Sequence, residues 1–309
     1  MSLKPIKSAA VVGMGALGML FGGMLQEHLG ESFSFVMDKA RSEKYGAQQF
    51  VRNGAAVKYN ITPVEKAKPA DLVIIAVKYP GLASAMDTAA AVIGPDTTII
   101  SVMNGISSEK LLAQRFGGER IIDTVAQEMD AMHFGCELRY TKPGRLCVGV
   151  PADAGEEKRQ HLERLCAFLD AARIAYTIED DITHRMWSKF MLNVGINQVC
   201  MVYGVDYGGA TATGSEARMA LLAAMREVVL AANAEGIALG EEDIAYYLNI
   251  VATLDPKATP SMGQDRLNRR PSEVDAFAGE VIRLGKLHGI PVPANEYIYR
   301  RVREIEAAY

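Results

Sequence analysis

A narrow set of polar side chains interrupts a segment that is otherwise apolar. Residues 184–203 carry Lys189, Asn193 and Asn197 at four-residue spacing among Met, Trp, Phe, Leu, Val and Ile side chains. Side chains four residues apart lie on one face of a helix, so these three residues, the polar stripe, predict a buried helix with one narrow polar face. An ammonium beside two carboxamides can donate a proton and hydrogen bonds to an oxygen that gains charge in a reaction.

The polar stripe can be interpreted in two ways. A buried lysine or asparagine is costly unless it is hydrogen-bonded, so the polar stripe should face a polar cleft, a ligand or ordered water. The alternative is an internal hydrogen-bond network in which one lysine keeps its charge at the surface. Other parts of the sequence are needed to distinguish the two interpretations.

A glycine-rich motif near the start of the chain is a second candidate site. It follows an apolar strand, opens a helical run and reads G-x-G-x-x-G. Its residues are Gly13, Met14, Gly15, Ala16, Leu17 and Gly18. The first glycine permits a tight turn, the second lets the backbone approach a pyrophosphate, and the third lets the helix pack on the strand. The motif therefore predicts dinucleotide binding at a helix N-terminus.

The residues after the second predicted strand bear on which dinucleotide binds. Asp38 lies twenty residues after Gly18. An acidic residue there typically bonds the ribose hydroxyls of NAD(H), whereas nearby basic residues favour the 2′-phosphate of NADP(H). Because Lys39 and Arg41 follow Asp38, the two signals conflict.

The first half of the chain alternates apolar runs with helical patterns. The predicted strands are 8–13, 34–37, 71–77, 97–103, 121–127, 146–150 and 174–178. The helix-length segments between the early strands include 16–29, 40–52 and 82–93. Continuous apolar strands are typical of a parallel sheet that is covered on both faces, so this half is predicted to be a Rossmann-like α/β domain.

The second half shows only helical periodicity. The predicted helical runs are 184–203, 213–236, 242–254, 272–288 and 295–307, with Pro271 at the start of one of them. We therefore expect a dinucleotide-binding domain over residues 1–180 and an all-α substrate and catalytic domain over residues 181–309.

Composition excludes several classes of function. The formal net charge is −4 and the basic residues are scattered, so neither nucleic acid nor a membrane surface is an expected partner. No run of about 20 apolar residues is available to span a membrane. The four cysteines form no CxxC pair and no metal-ligand spacing, which predicts free thiols, no metal site and a cytoplasmic location. The oligomeric state is not fixed by the sequence, which allows a homodimer.

The chain resembles the ketopantoate reductase (2-dehydropantoate 2-reductase) family over essentially its whole length. The motifs that carry the resemblance are GMGALG at 13–18, VKYPGL at 77–82, MNG at 103–105, KFMLNVGIN at 189–197, and SMGQD with PSEVDAFAGEVIRLGKLHGIPVP within 261–293. The resemblance implies NADPH-dependent hydride transfer that reduces 2-dehydropantoate to (R)-pantoate in pantothenate biosynthesis.

The resemblance also implies roles for individual residues. Lys189 would be the general acid, with Glu273 nearby and close to the nicotinamide. Asn193 and Asn197 would bind substrate hydroxyl groups, and Ser261 would meet the substrate carboxylate. Lys78 and Asn104 would border the cofactor and the active site.

Two departures from the family pattern leave alternatives open. Many members carry Arg where Asp38 stands, and the family commonly has Asn-Pro-Leu-Thr where this chain has Asn197 followed by Gln198. These differences favour an alternative, an NAD-dependent D-2-hydroxy-acid dehydrogenase of the same fold that acts on a branched or aromatic 2-oxo acid. A non-catalytic nucleotide-binding redox sensor is a further alternative, although binding alone does not require a proton donor.

Overall fold

The protein, described by a computed structural model over residues 3–309, consists of two compact units. The first runs to Met103 and from Ser107 to Ile182, and we call it the sheet unit. The second contains Asn104–Ile106 and Thr183–Tyr309, and we call it the helical unit.

The sheet unit contains twelve strands in two sheets. They are β1 (Ala9–Val12), β2 (Phe33–Met37), β3 (Phe50–Arg52), β4 (Ala55–Val57), β5 (Ile61–Pro63), β6 (Ala70–Ile75), β7 (Ile93–Ser101), β8 (Ile121–Met129), β9 (Met132–Phe134), β10 (Glu137–Arg139), β11 (Pro143–Gly149) and β12 (Tyr176–Ile178). The main sheet has the order β12-β11-β8-β7-β6-β1-β2-β5, and the small sheet has the order β4-β3-β10-β9. All seven strands predicted from apolar runs are present in the main sheet.

Helices cover both faces of the main sheet. They are α1 (Ala16–Leu29), α2 (Lys39–Gly46), α3 (Leu82–Ala90), α4 (Ser108–Phe116) and α5 (Glu156–Ala171). Alternate residues of β6 supply two separate cores: Leu72 and Ile74 pack with α1 and α5, whereas Val73 and Ile75 pack with α3 and α4. This two-sided burial explains why the strand is a continuous apolar run. The predicted α/β Rossmann-like fold is confirmed.

Two sequence predictions about the sheet unit need correction. The helix expected over residues 40–52 ends at Gly46, and Phe50–Arg52 instead forms a strand of the small sheet. The main sheet is also not wholly parallel, because β11 pairs antiparallel with β8. Hydrophobic periodicity identifies a strand but carries no information about its direction, so the reversal could not be read from the pattern.

Buried polar side chains attach α5 to the main sheet. His161 is 1% exposed, and its Nδ1 lies 2.8 Å from Oγ1 of Thr98 in β7. Arg164, one turn later, donates to the backbone carbonyl of Asp96 and pairs with the Asp71 carboxylate at 3.2 Å. These contacts fix which face of α5 meets the sheet.

The helical unit contains α6 (Ile182–Leu192), which begins at the end of the sheet unit, and seven further helices. These are α7 (Gln198–Tyr203), α8 (Tyr207–Thr211), α9 (Glu216–Ala234), α10 (Glu241–Ala252), α11 (Ser261–Leu267), α12 (Glu280–His288) and α13 (Pro293–Glu306). Two π-helical segments, Asn193–Asn197 and Asp275–Gly279, precede α7 and α12. The helix expected over 184–203 is therefore interrupted, and the run expected from Pro271 begins about one turn later.

The burial of His161 predicts a pH-dependent stability. Burial and the charge of Arg164 lower the pKa of His161 to about 4, so between about pH 6.5 and 4 the unfolded chain binds more protons than the folded protein. The free energy of unfolding should fall as the pH drops through that range, by about 3 kcal/mol in total for this group. His161→Gln should flatten this dependence in urea titrations followed by circular dichroism, while the exposed control His28→Gln should not. An unchanged slope in His161→Gln would contradict the assignment.

Candidate active site

Five polar side chains of the helical unit form one continuous hydrogen-bonded series, which we call the polar chain. Ser261 Oγ donates to Asn197 Oδ1 at 2.8 Å, and Asn197 Nδ2 donates to Asn193 Oδ1 at 3.1 Å. Asn193 Nδ2 donates to Asn104 Oδ1 at 3.4 Å, and Asn104 Nδ2 donates to Glu273 Oε2 at 3.1 Å. Residues that are far apart in sequence therefore meet in one site.

The polar chain has a single direction. A carboxylate only accepts hydrogen bonds, so Asn104 must turn its amide NH₂ towards Glu273 and its carbonyl oxygen towards Asn193. Asn193 and Asn197 then follow with the same orientation. Both asparagines and Glu273 are buried, so each group satisfies its neighbour where water has little access.

A π turn shapes the polar stripe. In an α-helix a residue four positions on drifts about 40° around the axis, and this is the relation between Lys189 and Asn193. From Asn193 to Asn197 the backbone is π-helical and holds more residues per turn, so both carboxamides stay on one side and bond to each other. π turns occur frequently at functional sites, which agrees with a site here.

The remaining members of the site lie at or near the ends of other elements. Lys189 is half-buried in the last turn of α6, and Ser261 is the first residue of α11. The sequence predicts Glu273 in the first turn of a helix. In the structure it instead precedes the second π segment. Asn104 is followed by Gly105, whose φ of +102° is a backbone conformation that favours glycine.

The glycine-rich turn of the sheet unit has the shape that a phosphate requires. Gly13 has φ +110°, and a Cβ there would lie 2.3 Å from the carbonyl oxygen of Ala76. A Cβ on Gly18 would lie 2.2 Å from the Gly13 carbonyl oxygen, so both glycines are needed for close backbone packing. At Gly15 no other atom lies within 4 Å of such a Cβ, and this open side of the turn fits a pyrophosphate.

The start of α1 adds backbone donors to this turn. Gly15 is the N-cap of α1, and no side chain caps the helix there. Met14, Ala16 and Leu17 are half-buried and pack against the core of the sheet unit, which fixes the direction of the helix. Helix N-terminal N–H groups bind anions, so the turn and the helix start together suit the pyrophosphate of a dinucleotide.

Asp38 and Lys39 lie where the second strand meets its helix. Asp38 is the N-cap of α2: its Oδ1 accepts from the backbone N–H of Arg41 at 2.8 Å, while Oδ2 lies 3.4 Å from the Arg41 Nε. Lys39 begins α2 and is exposed, with its Nζ 3.9 Å from Glu43. The carboxylate of Asp38 is thus already engaged as a helix cap and partly balanced by a guanidinium.

Lys78 lies near the glycine-rich turn at the carboxyl edge of the main sheet. It follows β6, and in the sheet Ile75 of β6 is paired with Val12 of β1, the residue before Gly13. Ligands of open α/β sheets bind at this edge, where the strand order reverses. β1 has its sequence neighbour β2 on one side and β6 on the other, which marks that reversal point.

Sequence reasoning missed two residues. Arg185 extends the four-residue spacing of the polar stripe by one step, and its Nη1 donates to Tyr247 Oη at 3.2 Å. Gln198, noted only as a departure from the family pattern, is fully buried and hydrogen-bonded to both π segments. Its polarity among apolar neighbours on a buried helix was the signal that could have found it.

Within residues 3–309, no group of three or more His, Cys, Asp and Glu side chains is arranged to hold a metal ion. Over the same residues, no helix is both long and apolar enough to cross a membrane.

Family models match both halves of the chain. The model described as "Ketopantoate reductase PanE/ApbA" matches residues 9–152, and the model for the C-terminal part of the same enzymes matches residues 181–306. The chain belongs to the ketopantoate reductase family. It is therefore an oxidoreductase that acts on a CH–OH group with a nicotinamide cofactor, in a family whose substrates are small 2-oxo acids.

Individual relatives and structural neighbours have low sequence identity to this chain. The 2-dehydropantoate 2-reductase of Streptococcus pyogenes serotype M3 is 26% identical, with 79% of each chain covered. The structure of D-mandelate dehydrogenase with NADH and anilino(oxo)acetate has a TM-score of 0.84 at 23% identity, covering 97% of this chain and 98% of that one. The dimeric ketopantoate reductase of Staphylococcus aureus has a TM-score of 0.78 at 21% identity, with 97% and 99% covered.

Gly15→Val should abolish cofactor binding without unfolding the protein. The side chain meets no protein atom, but it occupies the side of the turn that the pyrophosphate would approach. Calorimetry should show affinity for NADPH and NADH reduced on the order of 100-fold or more. The matched control is Gly155→Val, because Gly155 is also an uncapped N-cap glycine with open surroundings. Unchanged dinucleotide binding in Gly15→Val would overturn the assignment of this turn.

Proposed function

We propose that this ketopantoate reductase family member reduces 2-dehydropantoate to (R)-pantoate with NADPH, as a step of pantothenate biosynthesis. The polar chain is the observation that carries the proposal. Its two stripe carboxamides are buried and the Ser261 hydroxyl is accessible, and together they present paired donors and acceptors that suit a substrate with both a hydroxyl and a carboxylate. An unsubstituted 2-oxo acid lacks the hydroxyl that could use the remaining hydrogen-bonding capacity of the carboxamides.

In the proposed reaction Lys189 acts as the general acid. A bound nicotinamide would supply the hydride that reduces the carbonyl carbon, which leaves negative charge on the carbonyl oxygen. The Lys189 ammonium donates a proton to that oxygen, so the ketone becomes a secondary alcohol. Glu273, at the acceptor end of the polar chain, would balance the ammonium and keep the amides oriented.

The two halves of the sequence have different proposed roles. Residues 1–180 would bind the cofactor through Gly13–Gly18 and Lys78, and residues 181–309 would bind the substrate and supply the proton. Asn193 and Asn197 would bind the substrate hydroxyl, and Ser261 would bind the carboxylate. Asn104 and Glu273 would serve both ligands, since the polar chain links them to the stripe.

NADPH is the proposed cofactor because basic groups surround Asp38. Lys39 and Arg41 stand exposed at the start of α2, and Arg41 partly balances the Asp38 carboxylate. A 2′-phosphate bound there would lie near two cations. The one carboxylate, that of Asp38, already accepts a hydrogen bond as a helix cap.

A second candidate is an NADH-dependent D-2-hydroxy-acid dehydrogenase, and Asp38 is the observation that favours it. An acidic side chain after β2 commonly binds the ribose hydroxyls and repels a 2′-phosphate. The structural neighbour D-mandelate dehydrogenase was solved with NADH and an aromatic 2-oxo acid analogue. In this alternative the substrate would be a branched or aromatic 2-oxo acid.

We propose that the protein is a homodimer and that it is located in the cytoplasm. The four cysteines are free thiols, as a reducing compartment requires. A structural neighbour from Staphylococcus aureus is described as dimeric.

A kinetic screen distinguishes the two candidates. We expect kcat/KM to be highest for 2-dehydropantoate with NADPH, compared with pyruvate and phenylglyoxylate and with NADH. A missing hydroxyl at a site built to bind it should reduce kcat/KM by a factor of about 10⁴. Asp38→Arg should raise the preference for NADPH further. If phenylglyoxylate with NADH is the best pair and Asp38→Arg reverses the cofactor preference, the dehydrogenase is the correct function.

Lys189→Ala should lower kcat by roughly 10²–10⁴-fold and leave dinucleotide affinity nearly unchanged, because a general acid acts mainly in the transition state. Lys189→Arg should also be slow, since a guanidinium keeps its proton. The exposed Lys286→Ala in the same unit is the control. A near wild-type kcat in Lys189→Ala would show that this lysine has a purely structural role.

A further inference from the structure

The side chain of Gln198 joins the two π segments of the helical unit. Its Nε2 donates to the Val194 carbonyl oxygen at 2.7 Å, and its Oε1 accepts from the backbone N–H of Ala278 at 3.0 Å. Val194 lies in the first π segment and Ala278 in the second. The residue has no exposed surface, so water cannot replace either bond.

The bond to Ala278 satisfies a backbone group that the π geometry releases. In the second segment, Gly279 N–H bonds the Val274 carbonyl at 2.9 Å, five residues back. An α-helix would have given that carbonyl to Ala278, so the Ala278 N–H needs another acceptor and finds it in Gln198.

In the first segment the same residue bonds the backbone twice. The backbone N–H of Gln198 bonds the Gly195 carbonyl, three residues back. The side-chain amide of Gln198 donates to the Val194 carbonyl, four residues back. One carboxamide thus supplies a donor to the first π turn and the acceptor that the second π turn lacks.

The first π turn holds two members of the polar chain, and a third member stands just before the second π turn. Asn193 and Asn197 lie within the first segment, and Glu273 stands two residues before the start of the second. A Cβ on Gly195 would lie 2.6 Å from Cγ of Met225, so the first segment is also pressed closely against α9. The backbone of this segment is therefore held on one side by packing and on another by Gln198.

We propose that Gln198 is a positioning residue that fixes the two asparagines and Glu273 relative to one another through the two π turns. It touches neither substrate nor cofactor in this proposal, which rests on the proposed function of the polar chain. Loss of the link should let one or both π turns relax to α-helical bonding, which would shift the carboxamides along the helix. Misplacement of binding groups by about 1 Å can cost on the order of 100-fold in rate.

Two substitutions test the link. Gln198→Met keeps the approximate volume and removes both hydrogen bonds, so kcat/KM for 2-dehydropantoate should fall about 10- to 100-fold while NADPH affinity stays within about twofold. Gln198→Glu keeps the shape, and its protonated form can donate to Val194 and accept from Ala278 as the amide does. Activity of Gln198→Glu relative to wild type should therefore recover as the pH is lowered, whereas Gln198→Met should show no such recovery.

The control is Asn233→Leu. Asn233 donates to the carbonyls of Val229 and Leu239 at 2.8 and 3.0 Å in the same unit, away from both π segments. This variant loses two hydrogen bonds from an exposed amide to the backbone, and its pH profile should not change. Kinetics of Gln198→Met that match those of wild type would overturn the positioning role.

Hydrogen–deuterium exchange separates this proposal from the proposed function. The Ala278 amide should exchange faster in Gln198→Met, and in Gln198→Glu protection should return at low pH. This readout needs no substrate, so it still tests the link if wild-type protein does not reduce 2-dehydropantoate. Unchanged protection of Ala278 in Gln198→Met would show that Gln198 does not hold the second π turn, and the proposal would fail.

Discussion

The need to pair buried polar groups governs the helical unit. Glu273 can only accept, and the series from Ser261 through the asparagines delivers donors towards it in one direction. If any member were apolar, its neighbours would be left with unpaired groups away from water. These side chains meet through three features of the backbone: the π turns, the irregular segment before α12 and the positive φ of Gly105.

The fold was largely predictable because burial on two faces leaves a clear pattern. Continuous apolar runs identified all the strands of the main sheet except β5, and α1 was predicted to the residue. The small sheet was missed because its strands, such as Phe50–Arg52 and Met132–Phe134, have only three residues each, which is too short to show a hydrophobic period. Strand direction and the early end of α2 depend on tertiary pairing, which local periodicity does not contain.

The candidate site was predictable in part. Four-residue spacing identified Lys189, Asn193 and Asn197, but such spacing is compatible with both an α and a π turn, so the π segments were not foreseen. Asn104 and Glu273 came from family resemblance, since nothing in their local sequence points towards the stripe. Gln198 was visible as a buried amide, yet its partner Ala278 lies 80 residues away and only the folded chain brings them together.

The turn at Gly13–Gly18 holds its shape through its own backbone. Gly13 fits beneath the Ala76 carbonyl and Gly18 fits against Gly13, so contacts within the protein define the turn. A loop ordered before the ligand arrives loses little conformational entropy on binding. Under the proposed function, dinucleotide affinity would be governed by the contacts formed at the phosphates and ribose, and association would need no folding step at the turn. Sequence changes that tune affinity are consequently expected around the ribose and nicotinamide, while the turn itself tolerates little variation.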